Sequence, residues 1–257
     1  MATALITGAS SGIGLEFAIE FAKHNHDLIL VARSEAKLKE LADAVKAKYK
    51  VTVHVLVKDL GSDKQVDEVH NYTLMQNIQV DYLVNNAGLG DYGAFADEDW
   101  NKINSMIDVN IKALTRLSWL YVREMIQRKK GRIMNVASTA AFQPGPYMAV
   151  YYASKSYVLL LSEAMANELK DHGITVTALC PGATESGFAD TANARDTRLF
   201  KRKIPSSAAV AAYGYKAMMK GKTVAIHGTM NYMMAQSVRF APRKTVTAIA
   251  AKINNKD

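Results

Sequence analysis

Apolar, strand-like runs alternate with segments of helical period along nearly the whole chain. The runs are 2–7, 28–32, 51–57, 80–84, 132–137, 174–180 and 223–226. Between them lie amphipathic stretches at 13–22, 37–48, 65–75, 98–127 and 158–169, with apolar positions recurring every three or four residues. This alternation predicts an α/β fold, a doubly wound parallel sheet of about seven strands with helices on both faces. The early strands are apolar at nearly every position, as strands covered on both faces must be. Right-handed crossovers follow from chirality.

No internal repeat, low-complexity tract or linker interrupts the pattern, so residues 1–257 read as one unit. The least regular stretch is 183–205, long, polar and mixed in charge. A loop of that length in a compact domain is usually functional, and with Phe188 it is expected to form a lid over a substrate. The tail, 229–257, reads as one or two helices broken at Pro242.

The first strand runs directly into Thr7-Gly8-Ala9-Ser10-Ser11-Gly12-Ile13-Gly14, and a helical pattern follows. Glycines here allow a tight turn and close approach of backbone to a pyrophosphate, while the helix N-terminus offers free N–H groups to the anion. The spacing is Gly-x-x-x-Gly-x-Gly rather than Gly-x-Gly-x-x-Gly. Its position still predicts a dinucleotide site on a Rossmann-type sheet. A site for NAD places an acid near the end of the second strand. This chain has Ala32 there, followed by Arg33. A guanidinium pairs with a ribose 2′-phosphate, so NADP(H) is the expected cofactor, with Lys37 or Lys58 as possible electrostatic helpers.

Composition narrows the setting. Hydrophobic residues make up 49% and charged residues 22%, ordinary globular values. No apolar run reaches the roughly 18 residues of a membrane span. The first residues lack the basic and apolar segments of a signal peptide, so the expectation is a cytoplasmic protein with no membrane partner. The single cysteine, Cys180, sits in an apolar run without a neighbouring base and reads as a small buried hydrophobe. Of the six histidines only His24 and His26 are close in sequence, and no metal site is expected. The formal charge is +8, but the basic residues look scattered, which argues against nucleic acid. The run Arg128-Lys129-Lys130 reads as a helix-ending turn. Met230, Tyr232, Met233 and Met234 are read as core, or as the wall of an adaptable apolar pocket.

Tyr151-Tyr152-Ala153-Ser154-Lys155 opens a helical segment in which Tyr151 and Lys155 share a face. The spacing is a weak signal, since a chain with 12 tyrosines holds about one such pair by chance. It does not choose between Tyr151 and Tyr152. A strand-like run ending at Ser138 lies upstream, where sheets of this class carry their chemistry. Carbonyl reduction needs a hydride donor and a proton donor. An ammonium about 4 Å from a phenol contributes about 4 kcal/mol at an effective dielectric of 20. That allows a shift of up to roughly three units, bringing the phenol to about 7, where acid/base work is efficient.

In this order, Thr7–Gly14, Asp59-Leu60, Asn85-Asn86-Ala87-Gly88, Asn110, Ser138, Tyr151-x-x-x-Lys155 and Pro181-Gly182 resemble the short-chain dehydrogenase/reductase family, from the first strand to about Ile226. The resemblance implies Tyr151 as acid/base, because the family serine stands thirteen residues before the tyrosine, as Ser138 does. Tyr152 then has a structural role. It implies that Ser138 orients the carbonyl, that Lys155 holds the nicotinamide ribose and lowers the Tyr151 pKa, and that Asn110 anchors a proton-relaying water.

The cofactor set it implies is Gly8, Ser10, Ser11, Gly12, Ile13, Gly14, Arg33, Asp59, Leu60, Asn86, Ala87, Gly88, Tyr151, Lys155, Pro181 and Gly182. Asp59 is placed against the adenine and Pro181-Gly182 at the nicotinamide end. Many NADP-binding members carry a basic residue inside the glycine turn, where this chain has Ser10-Ser11. The closing part is most similar to bacterial ketone reductases, and more loosely to 3-oxoacyl and hydroxysteroid members. The reading is an NADPH-dependent reductase of a small-molecule ketone or aldehyde, a homodimer or homotetramer through helices in 98–127 and 151–169. The alternatives are an NAD-dependent alcohol dehydrogenase and a non-catalytic NADP(H) sensor.

Overall fold

The computed structural model describes residues 1–198 and 204–256. Seven strands are present among them: β1 (Thr3–Thr7), β2 (Asp27–Ala32), β3 (Val53–Val57), β4 (Val80–Asn85), β5 (Gly131–Val136), β6 (Ile174–Cys180) and β7 (Val224–Ile226). They form one parallel sheet in the order β3-β2-β1-β4-β5-β6-β7. The order reverses between β1 and β4, which opens a crevice at their carboxyl ends.

Because side chains alternate along a strand, each central strand feeds two cores. Ala4, Ile6, Leu28 and Leu30 face one side, packed on α1 (Gly12–Lys23) and α2 (Glu35–Tyr49). Leu5, Ile29, Val31 and Leu83 face the other, packed with residues of α3 (Asp63–Met75) such as Val66 and Val69. Both faces are therefore dry, which explains the unbroken apolar runs.

The stretch 98–127 becomes α4 (Trp100–Ile107), a π-helical turn (Asp108–Ala113) and α5 (Leu114–Arg128). Backbone dihedrals stay helical at Ile107 and Leu114, so one continuous helix carries a π-turn in its middle, a feature frequent at functional sites. Asp99 starts it, accepting from the N–H of Asn101 at 2.8 Å. The expected basic turn ends it. Lys129 is left-handed at φ 52°, and Arg128 donates to the carbonyl of Val80 at 2.7 Å.

α6 (Ala149–Leu169) begins well before the amphipathic stretch that signalled it. The stretch 183–205 contains only a short turn of helix, α7 (Phe188–Thr191), among its described residues, and 199–203 lie outside them.

One helix had no sequence signal. α8 (Ser207–Met219) is apolar on almost every side and lacks an amphipathic stripe. It packs on α1, with Gly214 against Phe17 and Leu179. The tail forms α9 (Thr229–Ser237) and α10 (Arg243–Asn254), with Pro242 between them. Asp257 lies outside the described residues.

Candidate active site

The crevice at the sheet's switch point is a cleft of about 1230 Å³. The end of β1 is tied to the end of β4 around Thr7. Its hydroxyl accepts from the N–H groups of Asn86 (2.9 Å) and Ala87 (3.0 Å). The Asn86 amide returns a bond to the Thr7 carbonyl at 2.9 Å. Gly8 sits at φ +66°, and a Cβ there would come within 2.9 Å of the Ala87 Cα. A Cβ on Gly14 would stand 2.2 Å from the Gly8 carbonyl oxygen. Gly14 thus lets α1 pack on the turn and does not itself line the cleft, whereas Gly8, Ser10, Ser11, Gly12 and Ile13 do. Ser11 occupies the N-cap of α1 without a side-chain cap bond. The first-turn N–H groups are left for another acceptor, which fits a pyrophosphate.

At the adenosine end Arg33, Ser34, Lys37, Lys58, Asp59 and Leu60 line the wall. Glu68 takes Lys58 at 2.6 Å. Arg33 and Lys37 have no carboxylate partner among the described residues. The Asp59 carboxylate accepts from the N–H of Gly61 at 3.0 Å.

At the other end Ser138, Tyr151, Lys155, Pro181 and Gly182 line the cleft beside Asn86, Ala87 and Gly88. Burial pushes the Tyr151 hydroxyl up to about 12, against a smaller downward pull from its hydrogen bond with Ser138. Burial pushes the Lys155 ammonium down to about 8. The lowering toward 7 expected from Lys155 is not among the influences on Tyr151 here, where burial dominates. The i,i+4 spacing puts the two on one face, but the ammonium lies 5.8 Å from the ring centroid and donates to the Val136 carbonyl at 2.8 Å. Desolvation of both groups outweighs their mutual effect.

Tyr152 lies buried, its hydroxyl donating to Asn254 of α10 at 3.0 Å, while Asn254 donates to the Pro146 carbonyl. Asn110 does not line the cleft. The π-turn brings it inward, where its amide accepts from the N–H of Leu89 and donates to the Leu89 carbonyl (2.8 Å each) and to Ser154 (3.0 Å). Gly88 separates it from Lys155. A Cβ on Gly88 would lie 3.2 Å from the ammonium and 3.4 Å from the Asn110 oxygen.

Several features had no sequence signal. Asn85, Ser118, Asn135 and Ser162 form a buried chain of hydrogen bonds beneath the site. Their separation in sequence, up to 50 residues, hides it. Gln143, Met148, Asn231, Ala235 and Ile253 also line the cleft. Of the four residues 230 and 232–234, only Met234 does. All four are exposed rather than core. Phe188 packs on Tyr151 with the rings tilted by 41° and centroids 5.1 Å apart, in a space kept open by Gly90, where a Cβ would meet its ring at 2.4 Å.

Cys180 is fully buried, with its thiol pushed up to about 12 by that burial. His24 and His26 pack on Tyr215. Among the described residues no group of three His, Cys, Asp or Glu could hold a metal ion, and no helix is long and apolar enough to cross a membrane.

The family model for short chain dehydrogenases matches residues 2–197. The chain belongs to the short-chain dehydrogenase/reductase family. A very-long-chain 3-oxoacyl-CoA reductase of Pyrenophora tritici-repentis is 36% identical over 177 residues, covering 67% of this chain and 52% of that one. The chain spans about half the length of this curated relative. A short-chain dehydrogenase from Sphingobium yanoikuyae, solved in complex with NADPH, superposes with a TM-score of 0.84 at 31% identity, covering 93% of this chain and 94% of that one. An alcohol dehydrogenase from Comamonas testosteroni described as specific for bulky-bulky ketones gives 0.80 at 32%, covering 93% and 92%.

Proposed function

We propose that the protein reduces the carbonyl of an apolar ketone to an alcohol, reversibly, with NADPH. The observation that carries this reading is the meeting of Ser138, Tyr151 and Lys155 at one end of a cleft whose other end is walled by Arg33 and Lys37. The amides of the glycine turn hold the pyrophosphate, with Ser10, Ser11 and Ile13 around it. Arg33, assisted by Lys37, pairs with the ribose 2′-phosphate, and Asp59 and Leu60 border the adenine. Asn86, Ala87, Gly88, Pro181 and Gly182 enclose the nicotinamide end. The NADPH-bound relative supports this choice of cofactor.

When bound, the dinucleotide supplies the hydride. Ser138 donates a hydrogen bond to the carbonyl oxygen and fixes its orientation. Tyr151 gives its proton to that oxygen as negative charge develops there. The phenol, raised by burial, is protonated at neutral pH, so the proton is present for transfer. Lys155 holds the ribose and stabilises the phenolate left behind. Asn110 positions the Gly88-Leu89 backbone beside Lys155 and keeps the proton path ordered. Phe188, Met148, Met234, Ala235 and Ile253 give the substrate end an apolar wall, and Phe188 covers Tyr151 as a lid residue. The ketone- and oxoacyl-reducing relatives are consistent with a large apolar substrate.

The exposed side chains of Trp119, Tyr157 and Leu160 on α5 and α6 support a homo-oligomer through these helices. NADPH consumption over a panel of apolar and polar ketones tests the activity. Equal rates for the wild type and Tyr151→Phe would overturn it.

A further inference from the structure

The net charge of +8 is not spread over the chain. From Thr197 to Lys256 there are twelve Lys and Arg residues and no Asp or Glu. The residues before Thr197 hold 20 basic and 23 acidic side chains, so the excess belongs to the last quarter. The basic residues of this quarter are scattered over several elements, contrary to the expectation of an even spread only in that no acid stands between them.

The same quarter exposes apolar side chains. Along α9, Met230, Met233 and Met234 are three and four residues apart, so they share a face. Met230 is 67% exposed, Met233 58% and, in the turn after α9, Phe240 89%. Tyr232 and Ile249 are also exposed. Arg239, Arg243 and Lys244 flank Phe240 within four residues, all exposed. Arg243 and Lys244 stand in the first turn of α10, where the helix dipole disfavours cations. Helix stability does not explain them, whereas an external anion does. Met234 belongs both to this exposed face and to the lining of the cleft, so the apolar stripe continues into the substrate end.

We propose that the α9–α10 face docks on an anionic phospholipid surface, with Phe240, Met230 and Met233 entering the headgroup boundary and Arg239, Arg243 and Lys244 on lipid phosphates. Exposed apolar side chains interspersed along the chain with Lys and Arg, with no acid between them, form the signature of an interfacial segment. The rest of the molecule carries a net negative balance, so an anionic surface repels it and selects this face. Docked in this way, the protein opens its cleft at the bilayer, where apolar ketones concentrate. The expectation of no membrane partner rested on the lack of a spanning segment, which leaves surface binding untouched.

The test is flotation of the full chain with phosphatidylcholine vesicles, with and without phosphatidylglycerol, at low and high salt. It reads binding and not turnover, so it stands or falls separately from the reductase reading. Binding is expected only with the anionic lipid, and it should weaken in high salt. Reversal of Arg239, Arg243 and Lys244 to Glu should lower partition about a hundredfold. Phe240→Ser with Met233→Ser should lower it about tenfold. Reversal of Lys216, Lys220 and Lys222, exposed at the far end of α8, should change it little, which separates this face from net charge alone. Ketone reduction in solution should be unchanged in all of them, showing that they fold. The proposal fails if anionic vesicles do not bind the protein, or if both sets of reversals weaken binding equally. It also fails if the apolar variants alter oligomeric mass or capture by an acidic carrier protein but not flotation.

Discussion

Tyr151 and Tyr152 are neighbours in sequence with opposite fates. Tyr151 lines the cleft with Ser138, and Tyr152 is anchored to Asn254. Tyr151→Phe is expected to lower ketone reduction by about a hundredfold or more, with NADPH binding, followed by calorimetry, retained. Tyr152→Phe should keep the rate within a few-fold and cost about 1 kcal/mol in denaturant unfolding, one buried hydrogen bond. Arg33 has no carboxylate partner among the described residues. Arg33→Asp should therefore raise the KM for NADPH by about tenfold or more and leave that for NADH within a few-fold. An increase of the same size for both would remove Arg33 from 2′-phosphate recognition. Ser138, Tyr151 and Lys155, which line the cleft, were legible because each sits in a short local pattern. Their pKa values were not, because desolvation comes from distant residues that enclose the group.

At the scale of elements, the strands and most helices were legible because an unbroken apolar run and a period of about three-and-a-half in hydrophobicity are local properties. α8 was not, since its open face carries Ala208, Ala209 and Ala212, so no polar stripe marks it. The π-turn that carries Asn110 inward was not legible either, because 98–127 reads as one helix in either case. The glycine turn makes an element-scale prediction. Gly14→Ala puts a Cβ against the Gly8 carbonyl and must push α1 off the turn. The expected result is at least a tenfold loss in NADPH affinity, together with a lower Tm, by titration and thermal unfolding. In the lid, Phe188→Ala uncovers Tyr151. The expected signature is a lower kcat for bulky ketones than for small ones.

At the scale of the whole molecule, burial of an ionisable pair links stability to pH. Lys155 has an ordinary value of 10.5 and is held at about 8 in the fold. Between these values the unfolded chain binds more protons, so stability rises with pH across this window. Tyr151 works in the opposite sense above its ordinary value of 10, because the folded chain keeps that proton up to about 12. Denaturant unfolding should therefore show a rise from about pH 8 to 10 that is absent in Lys155→Met. Reductase activity should fall over the same range as the ammonium is lost. On the outer surface of α5, Trp119 is stacked by Arg123 at 4.2 Å. Trp119→Glu with Leu160→Glu should shift the light-scattering mass to that of a monomer if α5 and α6 form the oligomer contact.

The sequence alone determined the parallel sheet, the glycine turn, the Arg33 cofactor signal and the Tyr–Lys pair, because each is written within a few consecutive residues. The tertiary structure decided what depends on groups far apart in the chain. It separated Tyr151 from Tyr152 by giving one Ser138 and the other Asn254. It tied Lys155 to the Val136 carbonyl, and burial raised the pKa of the tyrosine. It also turned the methionines of α9 outward, beside cations whose pairing with an anion no local pattern predicts. Proximity along the chain fixes which groups can meet, and only the packed fold fixes how much water each one loses.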